Sequence, residues 1–345
     1  MPLAAVKVPA APAPEPLPAS AEAVDSPSEN VRQRAESLIR RLLHPAKLEN
    51  APLRIAPPRL VNPKPGQRWG TLPPVRTVRF NVSDLGSGYL FLSTSEEMAL
   101  EEFAFDLTHP VHPLNGGWVE GVPNLQQFPI PSPGGKGQTA SGCVPTAGAS
   151  LIGFWAAHAF AGWLTAGRNG ETQSVPPSEF KNSEDRENTA LKKATLRLRK
   201  NMRMIEIDDK EGYTDHTLSL SGALTDDLAR ALQRDAEERK QPFQTRYADF
   251  SVETLHTEIE NGRPMLVDCV VRLPHKPELT WGHEVVAVGW QQVEDFEYIG
   301  VVDNFFPVQN AATVRWIEKR AFGGGIVVKP DRKTSPSEPD KKTTP

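Results

Sequence analysis

The sequence predicts an α+β fold: a helix buried on every side, with a cysteine at its start, packed on an antiparallel β-sheet that carries a histidine and an aspartate. Three observations predict it. Residues 138–167 hold no formally charged side chain, so a helix there needs enclosure all round. The second half carries the β-branched runs PMLVDCVVRL, HEVVAVGW, EYIGVVD and GIVVK with loops between them, the pattern of an antiparallel sheet with one face covered. Two further segments, LTDDLARALQRDAEER and SVETLHTEIENG, read as amphipathic helices, the second closed by Gly262 as a C-terminal cap.

Taken in order, the 345 residues suffice for one large domain or two ordinary ones. Residues 1–29 mix Pro, Ala and a few acids without a period; they bury too little to offset ordering entropy and read as a disordered arm. Prolines cut its apolar runs and no basic segment precedes them, so it does not read as a signal peptide, and the default location is cytoplasmic. Residues 30–112 read as an N-terminal extension packed on the main domain. Val31, Ala35, Leu38, Ile39, Leu42 and Leu43 form one helical stripe that Pro45 stops. VRTVRFNV and YLFLSTS flank the turn SDLGSG as a β-hairpin, and EEMALEEFAFDL reads as helix or strand. Residues 113–328 form the main domain, interrupted at 168–205 by a charged insertion with a helix from Glu187 to Met202. The basic residues Lys192, Lys193, Arg197, Arg199, Lys200 and Arg203 lie among acids there and read as a solvated face. The tail, 329–345, is Lys, Ser, Thr and Pro and reads as disordered.

Composition removes several functions. Lys and Arg total 39 against 43 Asp and Glu, a net charge of -4, which offers no field for nucleic acid or an anionic membrane. A bilayer takes about 20 apolar residues, but Pro145, Gly148, Gly153, Gly162, Ser150 and His158 interrupt the uncharged stretch, which reads as a buried helix and not a membrane span. His109 and His112 with Asp106 suggest a metal pair, yet Pro110 and Pro113 break the helix that would aim both rings at one ion. The expectation is no metal and no cofactor.

Chemistry concentrates in GQTASGCVPTAGASLIGFW, TWGHEVVAVGW and GVVDNFF. Cys143 follows a Gly/Ser loop and opens the buried helix, where the positive end of the helix dipole stabilises a thiolate. Free cysteines also pack well in cores, and Cys269, inside an apolar strand, reads that way. His283 opens a strand after Gly282, placed for an imidazole to face a cleft and serve a thiol as general base. Asp303 ends the next strand and Asn304 follows it; either could orient the ring. Trp281 beside His283 reads as a pocket wall or a packed aromatic.

These blocks carry a resemblance. From about Gly121 to Val328 the chain resembles a papain-like cysteine peptidase of the C39-like group: VPNLQQ resembles the opening VPxxxQ segment, FSVETLHTEIENGRPMLVDC the helix, turn and strand, GHEVVAVGW the histidine strand, and VVDN the strand of the third residue. GCVPTAGASLIGFW also resembles the nucleophile helix of the streptopain group. The resemblance implies a papain-like fold, Cys143 as nucleophile, His283 as base, Asp303 as orienting acid, and a glutamine as oxyanion donor. Gln127 holds the VPxxxQ position, while Gln138 lies at a spacing nearer papain's, and the choice stays open. Asn304 where the group has proline leaves it an alternative orienting residue. The expected function is thiol-dependent hydrolysis of peptide or isopeptide bonds in a peptide or protein substrate. Acyl transfer by the same thiol and noncatalytic peptide binding are the alternatives.

Overall fold

The structure, a computed structural model, describes residues 26–65, 67–107, 111, 113, 115–132, 137–158, 160–165, 183–207, 220–304 and 314–330. The first 25 residues of the expected arm, 331–345 of the tail, 168–182 of the insertion, and the His109/His112 pair lie outside these. The architecture is mixed helix and antiparallel sheet, as the apolar patterns predict. No helix among the described residues is long and apolar enough to cross a membrane.

The chain begins with α1 (Ser26–Leu43), β1 (Leu53–Ile55), β2 (Arg59–Val61), β3 (Val75–Val82), β4 (Gly86–Ser93) and β5 (Leu100–Leu107). Helix α1 starts four residues before the boundary set by composition and buries Val31, Ala35, Leu38, Ile39, Leu42 and Leu43. β6 (Gly116–Trp118), β7 (Pro129–Pro131) and β8 (Gln138–Ala140) lead to α2 (Cys143–Ala157), then α3 (Ala161–Thr165) and α4 (Ser183–Lys200). β9 (Ile205–Ile207) and β10 (Leu220–Gly222) pair with each other before α5 (Thr225–Glu238), β11 (Phe243–Asp249) and α6 (Val252–Glu260). The last strands are β12 (Met265–Leu273), β13 (Lys276–Val293), β14 (Phe296–Val302), β15 (Val314–Glu318) and β16 (Phe322–Pro330).

One antiparallel sheet joins both halves of the chain in the order β1-β3-β4-β5-β15-β14-β13-β12-β16-β11, with β2 on β3 and β6 on β13. EEMALEEFAFDL thus resolves into a strand, β5, which pairs along β15 with Val314 opposite Phe105 and Trp316 opposite Phe103. Phe103, Phe105 and Leu107 alternate along β5 and are buried, Leu100 joins them across an irregularity in the β4–β5 ladder, and Phe103 stacks on Trp316 at 6.1 Å.

Helix α2 lies against β13, with every residue from Cys143 to Trp155 buried. Helices α4 and α5 close its outer side; a Cβ at Gly148 would fall 2.8 Å from methyls of both Leu198 and Leu228. Much of the expected surface insertion therefore belongs to the interior: Leu191, Ala194 and Leu198 of α4 are buried. Arg199 is buried as well, which corrects the solvated-face reading for that residue, while Lys192, Lys193, Lys200 and Arg203 are exposed.

Strand β13 pairs with β12 along its first part and with β14 from Val286 onward. Beside residues 283–285 the β14 ladder has ended, and this gap in the sheet is where the start of α2 sits. Before the gap, Lys64 N–H donates to Glu278 O (2.9 Å) and Gln67 binds the backbone at Glu278 and Thr280, bringing Trp69 onto Gly282.

Removing residues 1–112 would strip β5 from β15. Each of its four large buried apolar side chains contributes roughly 1.5–3 kcal/mol, so their loss rivals the ~5–15 kcal/mol net stability of a typical domain. The truncated chain is expected to lose its cooperative thermal transition by circular dichroism. A soluble product with an unchanged melting temperature would mean that β5 is dispensable.

Candidate active site

Three elements bring the predicted residues together: the start of α2 supplies Cys143, β13 supplies His283, and the end of β14 leads into Asp303. Strand β13 begins at Lys276, so His283 lies within the strand and does not open it as expected, because residues 280–282 already pair with β12. The loop before α2 is held tightly. Gly142 adopts φ 92°, a conformation that favours glycine. Ser141 and Phe128 exchange N–H···O (2.8 Å) and N–H···Oγ (3.1 Å) bonds, Thr146 Oγ1 donates to Gly142 O (2.6 Å), and buried Arg199 reaches Ser141 O (3.1 Å) and Ser221 Oγ (2.7 Å). These bonds fix where the first turn presents its thiol.

His283 is 4% exposed, and its Nε2 lies 2.8 Å from Asp303 Oδ1. The Cys143 thiol interacts with the same ring by hydrogen bond and charge. Burial opposes ionisation of Cys143, but the His283 interactions and the backbone N–H groups of Glu284 and Val144 outweigh it and lower the thiol's pKa. Burial likewise opposes a charged ring at His283; the Asp303 carboxylate, then the Cys143 partner, raise its pKa to about 9. Both shifts run in the direction that favours a thiolate–imidazolium pair. Cys269 has the opposite character, since burial pushes its thiol well up and its S–H faces His283 O across the strand at 3.6 Å.

Asp303 is itself held from behind. Its Oδ2 accepts from Arg315 Nη1, and Arg315 also donates to Glu102 Oε1 through Nε (3.1 Å) and Nη2 (2.7 Å); Tyr89 Oη caps Glu102. All of these residues but Tyr89 are less than 5% exposed. Arg315 and Glu102 were not singled out from the sequence, although a charged residue inside each of the apolar runs TVRWIE and LEEFAF is the signal of a buried pair.

The alternative assignments separate geometrically. Asn304 does not face the imidazole; its Nδ2 donates to Cys143 O (3.1 Å) and Glu284 O (3.0 Å), tying helix to strand. Gln127 binds Asn304 twice, N–H to O at 2.8 Å and Nε2 to Oδ1 at 3.0 Å, one residue removed from Cys143. Gln138 opens β8 and is exposed. Gln126 donates to Asp303 O (3.1 Å), so both glutamines of VPNLQQ brace the 303–304 corner. Trp281 is packed, 3% exposed and edge-on to Trp69 at 5.8 Å. Its Nε1 lies 3.3 Å from His283 Nδ1, a hydrogen bond that exists only when that nitrogen has lost its proton.

Both the thiol and the charges behind it can be measured. In the native protein iodoacetamide should alkylate Cys143 much faster than Cys269, and the Cys143 rate should persist below the ordinary thiol pKa of about 8.5; equal labelling would remove Cys143 as the activated thiol. Arg315→Met leaves two carboxylates buried without their cation, at a cost of about 3–5 kcal/mol in urea unfolding. A loss under about 1 kcal/mol, the size of an exposed pair, would show the network to be unimportant for stability.

No protein-family model matches the chain, and no curated protein matches it.

Proposed function

We propose that this protein is a thiol-dependent hydrolase of papain-like arrangement, cleaving peptide or isopeptide bonds. The observation that carries the reading is the alignment of Cys143, His283 and Asp303 in one buried ionic site, with the thiol pKa lowered and the imidazole pKa raised. An activated nucleophile, a proton donor and an orienting acid are what acyl transfer from an amide requires.

The Cys143 thiolate attacks the carbonyl carbon, and the C=O π pair moves onto oxygen. That oxyanion meets the N–H groups at the start of α2 and Gln127, whose amide nitrogen carries two protons and spends one on Asn304. His283 passes its Nδ1 proton to the leaving amine as the C–N bond breaks, giving a thioester. Nδ1 of the now neutral ring takes a proton from a water, whose hydroxide attacks the thioester carbonyl and expels the Cys143 thiolate, releasing the carboxylic acid and restoring the starting pair. Asp303 keeps the ring in register through both halves.

Incubation with a denatured-protein peptide library and mass spectrometry of new termini tests the reading. Cleavage should be present in wild type, unaffected by EDTA, absent in Cys143→Ala and His283→Ala, and dependent on reductant after air oxidation. Activity should fall as pH rises through about 9, because the ring then lacks the proton the leaving amine needs. Cleavage by Cys143→Ala would place the chemistry elsewhere, and capture of peptides without new termini would make the cleft a binding site.

A further inference from the structure

Next to the thiol, on the face of the sheet away from His283, lies a pair of carboxylates. The β12–β13 register sets Cys269 opposite His283 and Asp268 opposite Glu284; successive residues alternate faces, so the two acids share the opposite face from the imidazole. Like charges directly opposite one another destabilise a sheet. Among the described residues no Lys or Arg pairs with either.

The hydrogen bonds around the pair are incomplete. Thr225, the first residue of α5, lies 2.7 Å from Glu284 Oε2 and 3.3 Å from Asp268 Oδ2, but its hydroxyl has one proton to give. Asp268 Oδ1 takes the N–H groups of Gly323 (3.2 Å) and Gly324 (2.6 Å). Glu284 is 1% exposed, and its Oε1 is buried without a hydrogen-bond partner among the described residues. Burial, with Asp268 close by, pushes the Glu284 carboxyl well up. Such an orphaned oxygen is expensive unless a donor arrives.

The surroundings suit a donor that comes with the substrate. Asp268 is half-buried and therefore reachable. The floor beside it has no side chains: a Cβ at Gly323 or Gly324 would fall 2.8 Å from the Asp268 carboxylate, and one at Gly324 2.7 Å from Tyr247 Oη. Tyr247, beside Gly324, and Leu224, which precedes Thr225 in the chain, are 39% and 64% exposed, an aromatic ring and an apolar side chain open to solvent. The acids Asp226 and Asp249 add to the negative field at Tyr247. Glu284 also connects this place to the chemistry, because its backbone N–H faces the Cys143 thiol.

We infer that Asp268 and Glu284, with Tyr247 and Leu224 beside them, form a subsite for a cationic group of the substrate, a lysine or arginine side chain or an amino terminus flanking the scissile bond. An ammonium or guanidinium supplies the donor that Glu284 Oε1 lacks, pairs with the Asp268 carboxylate, favours ionisation of Glu284 beside it, and finds a π-face in Tyr247. The inference rests on Cys143 being the nucleophile.

Charged thiol reagents test it on the full-length protein without a known substrate. Modification rates of Cys143 by 2-aminoethyl methanethiosulfonate (cationic) and 2-sulfonatoethyl methanethiosulfonate (anionic) are measured by peptide mass spectrometry, each normalised to 2-mercaptoethanol. The cationic reagent should be favoured about tenfold or more in wild type, as expected for charges a few ångströms apart near a protein surface. The ratio should fall severalfold in both Asp268→Asn and Glu284→Gln. A wild-type ratio near one, or a ratio untouched by both substitutions, overturns the subsite while leaving the nucleophile standing. If Cys143 resists both reagents and neutral methyl methanethiosulfonate, the nucleophile reading fails and the subsite with it. Should Glu284→Gln not fold, half-buried Asp268→Asn decides alone.

Discussion

The Arg315 guanidinium, locked between Asp303 and Glu102, is the contact on which the rest of the site depends. It connects a strand of the first third of the chain, β5, to the last turn of the site. Acidic and basic groups alternate from there to the thiol: Glu102, Arg315, Asp303, His283, Cys143. Each member is buried, so each needs its neighbours; without Arg315 the Asp303 carboxylate would lose the buried cation that its Oδ2 binds. The same arrangement explains why the early strands cannot be a detachable arm. They bring both apolar cover for β15 and the acid that balances a buried arginine.

Cys143 meets the sheet where the sheet fails to close. Strand β14 leaves β13 below Val286, and Asn304 spans the resulting gap by holding Cys143 O and Glu284 O together. A backbone N–H that would have joined a ladder, that of Glu284, faces sulfur instead. The ion pair thus forms where helix, strand and corner meet, and no single element contains it. Glu284 serves two sides at once, main chain toward the thiol and carboxyl toward the opposite face.

The fold class was legible because its signals are local. An uncharged stretch of α2 must be enclosed, and β-branched runs between loops make antiparallel strands. Cys143, His283 and Asp303 could be singled out because each sits at the edge of such a run, after glycine or at a strand's end. What escaped was non-local. Glu102 and Arg315 are 213 residues apart, and nothing in either neighbourhood names the other. Arg199 lies among exposed lysines, and only the packing of α4 on α2 turns it inward. LEEFAFDL was ambiguous because the adjacent acids Glu101 and Glu102 interrupt the alternation, and Glu102 is buried for Arg315. Asn304 and Asp303 are adjacent in sequence, and only the turn of the chain after β14 decides which faces the ring.

The chemistry of the site rests on His283 carrying a proton at neutral pH, with Cys143 and Asp303 both charged around it. Nitrogen-15 NMR of the protein labelled at histidine reads that state directly. The His283 ring nitrogens should give imidazolium shifts at pH 7 and titrate near 9, and in Cys143→Ala the midpoint should drop. A His283 ring that is neutral at pH 7, with a midpoint unchanged by Cys143→Ala, would contradict the ionic site.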